Sequence, residues 1–140
     1  MIKPLGIFTG SAFLFGGLLG FVPGVVKHGL YFGIFMVNVP HNILHIVSGI
    51  MFLIASMIGA SVARLWFQIF GLVYAGMAVW GFWVGKGLIC GMISNNQYDS
   101  WGHAALALAM LVIGFVPSEH LPMARSREDR RAIPLSRNGT

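Results

Sequence analysis

Gly33-Ile-Phe-Met-Val-Asn38-Val-Pro40-His41-Asn42-Ile-Leu-His45-Ile-Val-Ser48-Gly49 is the stretch on which the reading of the fold turns. It sets two histidines and two asparagines inside an otherwise apolar run. Asn38 suits a helix start, because its side-chain oxygen can accept from a first-turn N–H, and Pro40 lacks only an N–H that the first turn does not need. The apolar run continues to Val62, so the sequence predicts a helix over 38–62. At about 100° per residue, Asn38, His41, Asn42, His45, Ser48, Gly49, Ser56 and Gly59 fall within an arc of about 120°. Ile43, Ile46, Val47, Ile50, Ile54 and Met57 occupy the opposite side. Such a helix belongs in lipid with its polar face turned inward, since lipid offers polar groups no hydrogen bonds.

A weaker copy reads Gly91-Met-Ile-Ser-Asn-Asn96-Gln-Tyr98-Asp99-Ser100-Trp-Gly-His103. Without a gap, Asn38 aligns with Asn96, His41 with Asp99 and His45 with His103, a constant offset of 58 residues. On a helix running from 96 to 116, Asn96, Asp99, His103, Ala107, Met110 and Gly114 share a narrower face.

The rest of the chain fits a membrane solvent. Hydrophobic residues make up 56% of the 140 and charged residues 9%, against about 25% charged in an average soluble domain. The first 98 residues contain no acidic side chain. Residues 5–26 form a 22-residue uncharged run, enough to cross a hydrocarbon core of about 30 Å. This run is long for a signal-peptide core and no small-x-small cleavage site follows it, so it is expected to be a retained helix. Gly6, Gly10, Gly16 and Gly20 give it small-xxx-small spacings that permit close helix contact. A third helix is expected over 65–85, after a tight turn at Ala63 and Arg64, with Trp66 and Trp83 near its ends. Residues 27–37 and 86–95 are left as loops.

The expected fold is therefore an all-α integral membrane four-helix bundle occupying residues 1–117. Its helices fall at about 5–26, 38–62, 65–85 and 96–116, as two tandem helix–loop–helix repeats related by a pseudo-two-fold along the membrane normal. The segment 118–140 is expected to be a disordered basic tail. Lys3, Arg64 and the tail residues Arg125, Arg127, Arg130, Arg131 and Arg137 lie on one side, and only Lys27 and Lys86 on the other. The positive-inside rule then places both termini in the cytoplasm and the motif loops outside a bacterial inner membrane. The tail suits anionic lipid headgroups, whereas nucleic acid is not an expected partner without an interleaved aromatic platform. Cys90 is the only cysteine, which excludes an intramolecular disulfide and a cysteine-rich zinc site.

Three readings of the polar faces follow. In the first, Asn38, Asn42, Asn96, Asp99 and the histidines cap helices and bond between them, in a non-enzymatic protein that packs against itself or a larger membrane assembly. In the second, the two i, i+4 pairs His41/His45 and Asp99/His103 supply three imidazoles and a carboxylate to a transition metal. A variant of it sets His45 and His103 as axial ligands of a haem in a redox or sensory protein. The third uses the same residues as a proton or small-solute pathway. Ser48, Ser56 and Ser94 lack a nucleophile-elbow context, and no phosphate-binding glycine loop is present.

The run Gly33-x-Phe35-x-Val37-Asn38-x-x-His41-Asn42-x-x-His45-x-x-x-Gly49 resembles a bacterial membrane family catalogued as domain of unknown function 4383. The resemblance extends over about residues 5–116 and implies four helices with a VN-x-x-HN-x-x-H segment and a later VN-x-x-DN-x-x-H segment. Asn38, His41, Asn42, His45, Asn96, Asp99 and His103 match those positions. Asn95 and Ser100 depart from the second segment, standing in place of valine and asparagine. The resemblance implies an architecture and no activity.

Overall fold

The computed structural model describes residues 1–117, so the expected basic tail lies outside the described residues. Among these, four helices form: α1 (Ile2–Leu19), α2 (Val39–Ile58), α3 (Ala60–Val84) and α4 (Gln97–Phe115). The first three are long and apolar enough to cross a membrane. Side chains are distributed inside out relative to a water-soluble fold. Trp83 is 89% exposed, and Phe8, Met57, Val79 and Leu108 are also exposed, while Asn95, Asp99, Ser100 and His103 are buried. Water does not tolerate so large an apolar exterior, and lipid does.

Helix starts follow their capping residues. Asn38 and Asn96 both hold the extended conformation of an N-cap, and their side-chain oxygens accept from the His41 and Asp99 N–H groups. Asp99 returns the bond to the Asn96 N–H, closing a capping box. Helix ends depart from the sequence expectation. The first helix stops at Leu19 rather than running to 26, because Pro23 biases Val22 away from helical geometry. The second stops at Ile58, and the turn falls on Gly59 rather than Ala63-Arg64. Glycine is the weakest ordinary helix former in that run, so the break occurs there. Arg64 consequently lies on α3, where its Nη1 donates to the Val116 carbonyl at 2.9 Å and to the Gly114 carbonyl at 3.3 Å. It thereby satisfies carbonyls that the end of α4 leaves without helical partners.

The segments read as loops contain short antiparallel strands: β1 (Val26–Lys27), β2 (Leu30–Tyr31), β3 (Phe35–Met36), β4 (Gly87–Ile89) and β5 (Ile93–Asn95). Leu30 pairs with Met36 and Tyr31 with Phe35. In the second hairpin Leu88 pairs with Ser94 and Ile89 with Ile93. Each three-residue connection contains a tight turn, closed by Ile34 N–H donating to the Tyr31 carbonyl or Met92 N–H to the Ile89 carbonyl. Its two central residues have positive φ, 51° and 76° at Phe32-Gly33 and 51° and 70° at Cys90-Gly91. Positive φ at both central residues matches the type I′ turn, whose twist suits a hairpin, and glycine supplies the second position without strain.

Helix α1 packs along α2, and α3 along α4, with α2 and α3 joining the two pairs. The first contact is close because it lacks side chains. A Cβ on Gly10 would stand 2.8 Å from the Gly49 carbonyl, and one on Gly49 would stand 2.5 Å from the Leu14 nitrogen. In the second pair, Gly71 faces Leu111 and Gly81 faces Ser100. Gly10, Gly49, Gly71 and Gly81 are therefore engaged within the chain, whereas Gly16 and Gly76 face open space. Phe13, Phe52, Phe67, Tyr74, Ala107 and Met110 form the apolar core.

Candidate functional site

Where the two hairpins meet the N-termini of α2 and α4, the bonds are reciprocal. Asn38 Nδ2 donates to the Met92 carbonyl in the second hairpin at 2.7 Å. Asn96 Nδ2 donates to the Ile34 carbonyl in the first at 2.8 Å. One level deeper, the His41 Nδ1 lies 3.1 Å from the Ser94 carbonyl, and Asp99 Oδ2 accepts from the Met36 N–H at 2.9 Å. Each helix start thus holds the hairpin that precedes the other. Since a carbonyl can only accept, the His41 proton sits on Nδ1, and Nε2 of the neutral ring carries the lone pair.

A third level ties the helix starts to their neighbours. Asn42 Nδ2 donates to the Gly20 carbonyl, just past α1, at 2.9 Å. On α4 the corresponding position is Ser100, whose Oγ lies 3.2 Å from Asn95 Oδ1 and 3.1 Å from the Asn96 carbonyl. Asn95 Nδ2 in turn reaches the carbonyls of Gly81 on α3 and of Gly85, its C-cap, at 3.1 and 2.7 Å. The two departures from the second motif act together, since an amide on β5 ties α3 where an amide on α4 is lacking.

Beneath this network lies a cavity of about 240 Å³. His41, His45, Asp99 and His103 line it from the helices, Tyr31, Phe35 and Val37 from the first hairpin, and Gly16 from α1. Ligand atoms of His41, His45 and His103 all lie within 4.8 Å of one another. Ring centroids are 5.0 Å apart for His41 and His45, and 5.8 Å for His41 and His103. Phe13 meets the His45 ring edge-on at 5.1 Å, and Tyr74 meets His103 at 5.5 Å. Among the described residues, His45 Nε2 and His103 Nδ1 are buried polar atoms without a hydrogen-bond partner. Such atoms cost about 1–3 kcal/mol each when nothing binds them. Burial pushes the Tyr31 hydroxyl above its ordinary pKa.

The structure brings His41, His45, Asp99 and His103 to one cavity. Asp99 stands outside the three-histidine group, with Oδ2 engaged by the Met36 and Asn96 N–H groups. Asn38, Asn42 and Asn96 cap and tie helices. Sequence reasoning missed Tyr31 and Phe35 as cavity walls and Asn95 as the anchor of α3. The shared Gly33 and Gly91 were the available signal for the hairpins that carry these residues. Cys90 is exposed at a hairpin tip.

Three helices of membrane-crossing length, an apolar exterior and a buried histidine cluster place the chain among helical membrane proteins with a polar interior site. It belongs to the family described as Domain of unknown function (DUF4383), whose model matches residues 4–116. Neither the curated proteins nor the solved structures contain a match to it.

Proposed function

We propose that the protein is a small, non-enzymatic binding component of the bacterial inner membrane. Two tandem halves cross the membrane four times and close a histidine-lined chamber at their outer end. The observation that carries this reading is the reciprocal set of bonds between hairpins and helix starts. Asn38 to Met92 and Asn96 to Ile34 are the same pair of positions exchanged across the offset of 58. So are the contacts of His41 with Ser94 and of Asp99 with Met36. Hairpin registers and turn dihedrals repeat at the same spacing, which supports a pseudo-two-fold along the membrane normal. Helix α4 has 19 residues, enough for a fourth crossing once its polar first turns face the chamber. The charge asymmetry supports cytoplasmic termini and outward-facing hairpins, and a basic tail suited to anionic lipid headgroups.

The native single cysteine tests this arrangement without mutagenesis. Cys90 in intact cells is expected to react with a membrane-impermeant maleimide. Reaction only after the cells are permeabilised would overturn the orientation. A protease-accessible C-terminus in intact spheroplasts would do the same.

A further inference from the structure

The hydrogen bonds of the clasp account for the asparagines, Asp99 and one nitrogen of His41. They leave His45 and His103 unexplained, one half-buried and one buried, each with a buried ring nitrogen that meets no partner. Packing alone does not favour histidine there. An apolar side chain of similar size would fill the same volume without burying an unsatisfied polar atom.

We propose that His41, His45 and His103 hold one divalent late first-row transition-metal ion, such as zinc, copper or nickel, at the floor of the chamber. The inference rests on the clasped-chamber reading and names what the chamber binds. Three features support it. The bond between His41 and the Ser94 carbonyl fixes the ring tautomer and turns Nε2 into a ligand, the arrangement that commonly orients metal-binding histidines. The ligand atoms lie within 4.8 Å of one another. A tetrahedral site with metal–nitrogen bonds of about 2.0–2.1 Å needs them roughly 3.3 Å apart, a closure that side-chain rotation on three different turns can supply. Asp99, on the same cavity wall, offsets part of the ion's charge in a poorly solvated setting.

An all-imidazole set, with no thiolate, selects for zinc, copper or nickel rather than calcium or magnesium, which take oxygen ligands. Three protein ligands leave a further coordination position open toward the cavity, available to water or a small exogenous ligand. A haem between His45 and His103 fits less well. The His41 ligand atom, within 4.8 Å of both others, would fall inside the footprint of the macrocycle.

The test uses the full chain, purified in mild detergent with a non-histidine affinity tag. It is stripped with chelator, reloaded with zinc, copper(II) or nickel(II) separately, desalted and analysed for metal. One ion per chain is expected for the unaltered protein and for His28→Ala. His45→Ala and His103→Ala are expected to lose retained metal. Asp99→Asn keeps one acceptor oxygen, which can take the place of the Oδ2 that both the Met36 and Asn96 N–H groups use, and is expected to weaken affinity about 10- to 100-fold. Size-exclusion profiles identify variants that fail to fold, and His103→Gln then replaces His103→Ala. Sub-stoichiometric metal in the unaltered protein under every loading condition overturns the inference. So does equal retention in folded His45 and His103 variants. Either result leaves the proposed membrane arrangement standing, because Cys90 labelling tests that orientation independently.

Discussion

Asn38 serves two partners, with Oδ1 capping α2 and accepting from the Ser94 N–H at 3.3 Å, and Nδ2 donating to the Met92 carbonyl of the second hairpin. Substitution can separate them. Asn38→Ala is expected to lose about 1 kcal/mol for the cap and about 1 kcal/mol for the hairpin bond. Asn38→Asp keeps the cap acceptor but sets an oxygen against the Met92 carbonyl, so its unfolding midpoint in mixed detergent should fall below that of the unaltered chain, with the cap holding it above that of Ala. Equal midpoints for Ala and Asp would remove the cap from the explanation. Asn95 and Ser100 form the other informative pair. A double-mutant cycle of Asn95→Ala and Ser100→Ala is expected to show coupling of at least about 0.5 kcal/mol, whereas additive losses would mean that the 3.2 Å contact carries no energy. The capping roles of Asn38 and Asn96 and the convergence of the histidines were legible in the sequence, because helical spacing fixes which residues share a face. The compensation between Asn95 and Ser100 was not legible. It depends on where β5 passes α3, a tertiary relation with no local signature.

The helices pack through positions where side chains are missing, and this gives a contrast within one residue type. Gly49→Ala would put a Cβ 2.5 Å from the Leu14 backbone nitrogen, which can yield only if α1 and α2 separate. A loss of about 1–3 kcal/mol is expected, the usual cost of overpacking. Gly76→Ala meets nothing within 4 Å and is expected to be neutral or slightly stabilising, since alanine is the better helix former. Reversed outcomes in a detergent unfolding series would contradict the helix pairing. The helices themselves could be read from apolar run length, but their ends could not. The turn was expected at Ala63-Arg64 and falls at Gly59, and the placement is favoured by Arg64 reaching the Gly114 and Val116 carbonyls at the end of α4. The hairpins escaped because strands of two or three residues are too short for an alternating pattern to stand out.

At the scale of the whole molecule, the two halves meet in two ways. Toward the chain termini α2 and α3 are joined by Gly59, and at the opposite end each half grips the hairpin of the other. Removing one grip should leave the second in place, so Asn38→Ala and Asn96→Ala should each permit insertion, while the double variant is expected to lose bound metal along with stability. In the proposed site, this clasped end encloses a metal ion held by three histidines. X-ray absorption at the edge of the bound metal, on the full chain in detergent, addresses it most directly. The expected spectrum shows three imidazole nitrogens at about 2.0–2.1 Å, with imidazole scattering reduced in His103→Ala. A shell of oxygen ligands alone, or a spectrum unchanged by the loss of His45 or His103, would contradict the claim.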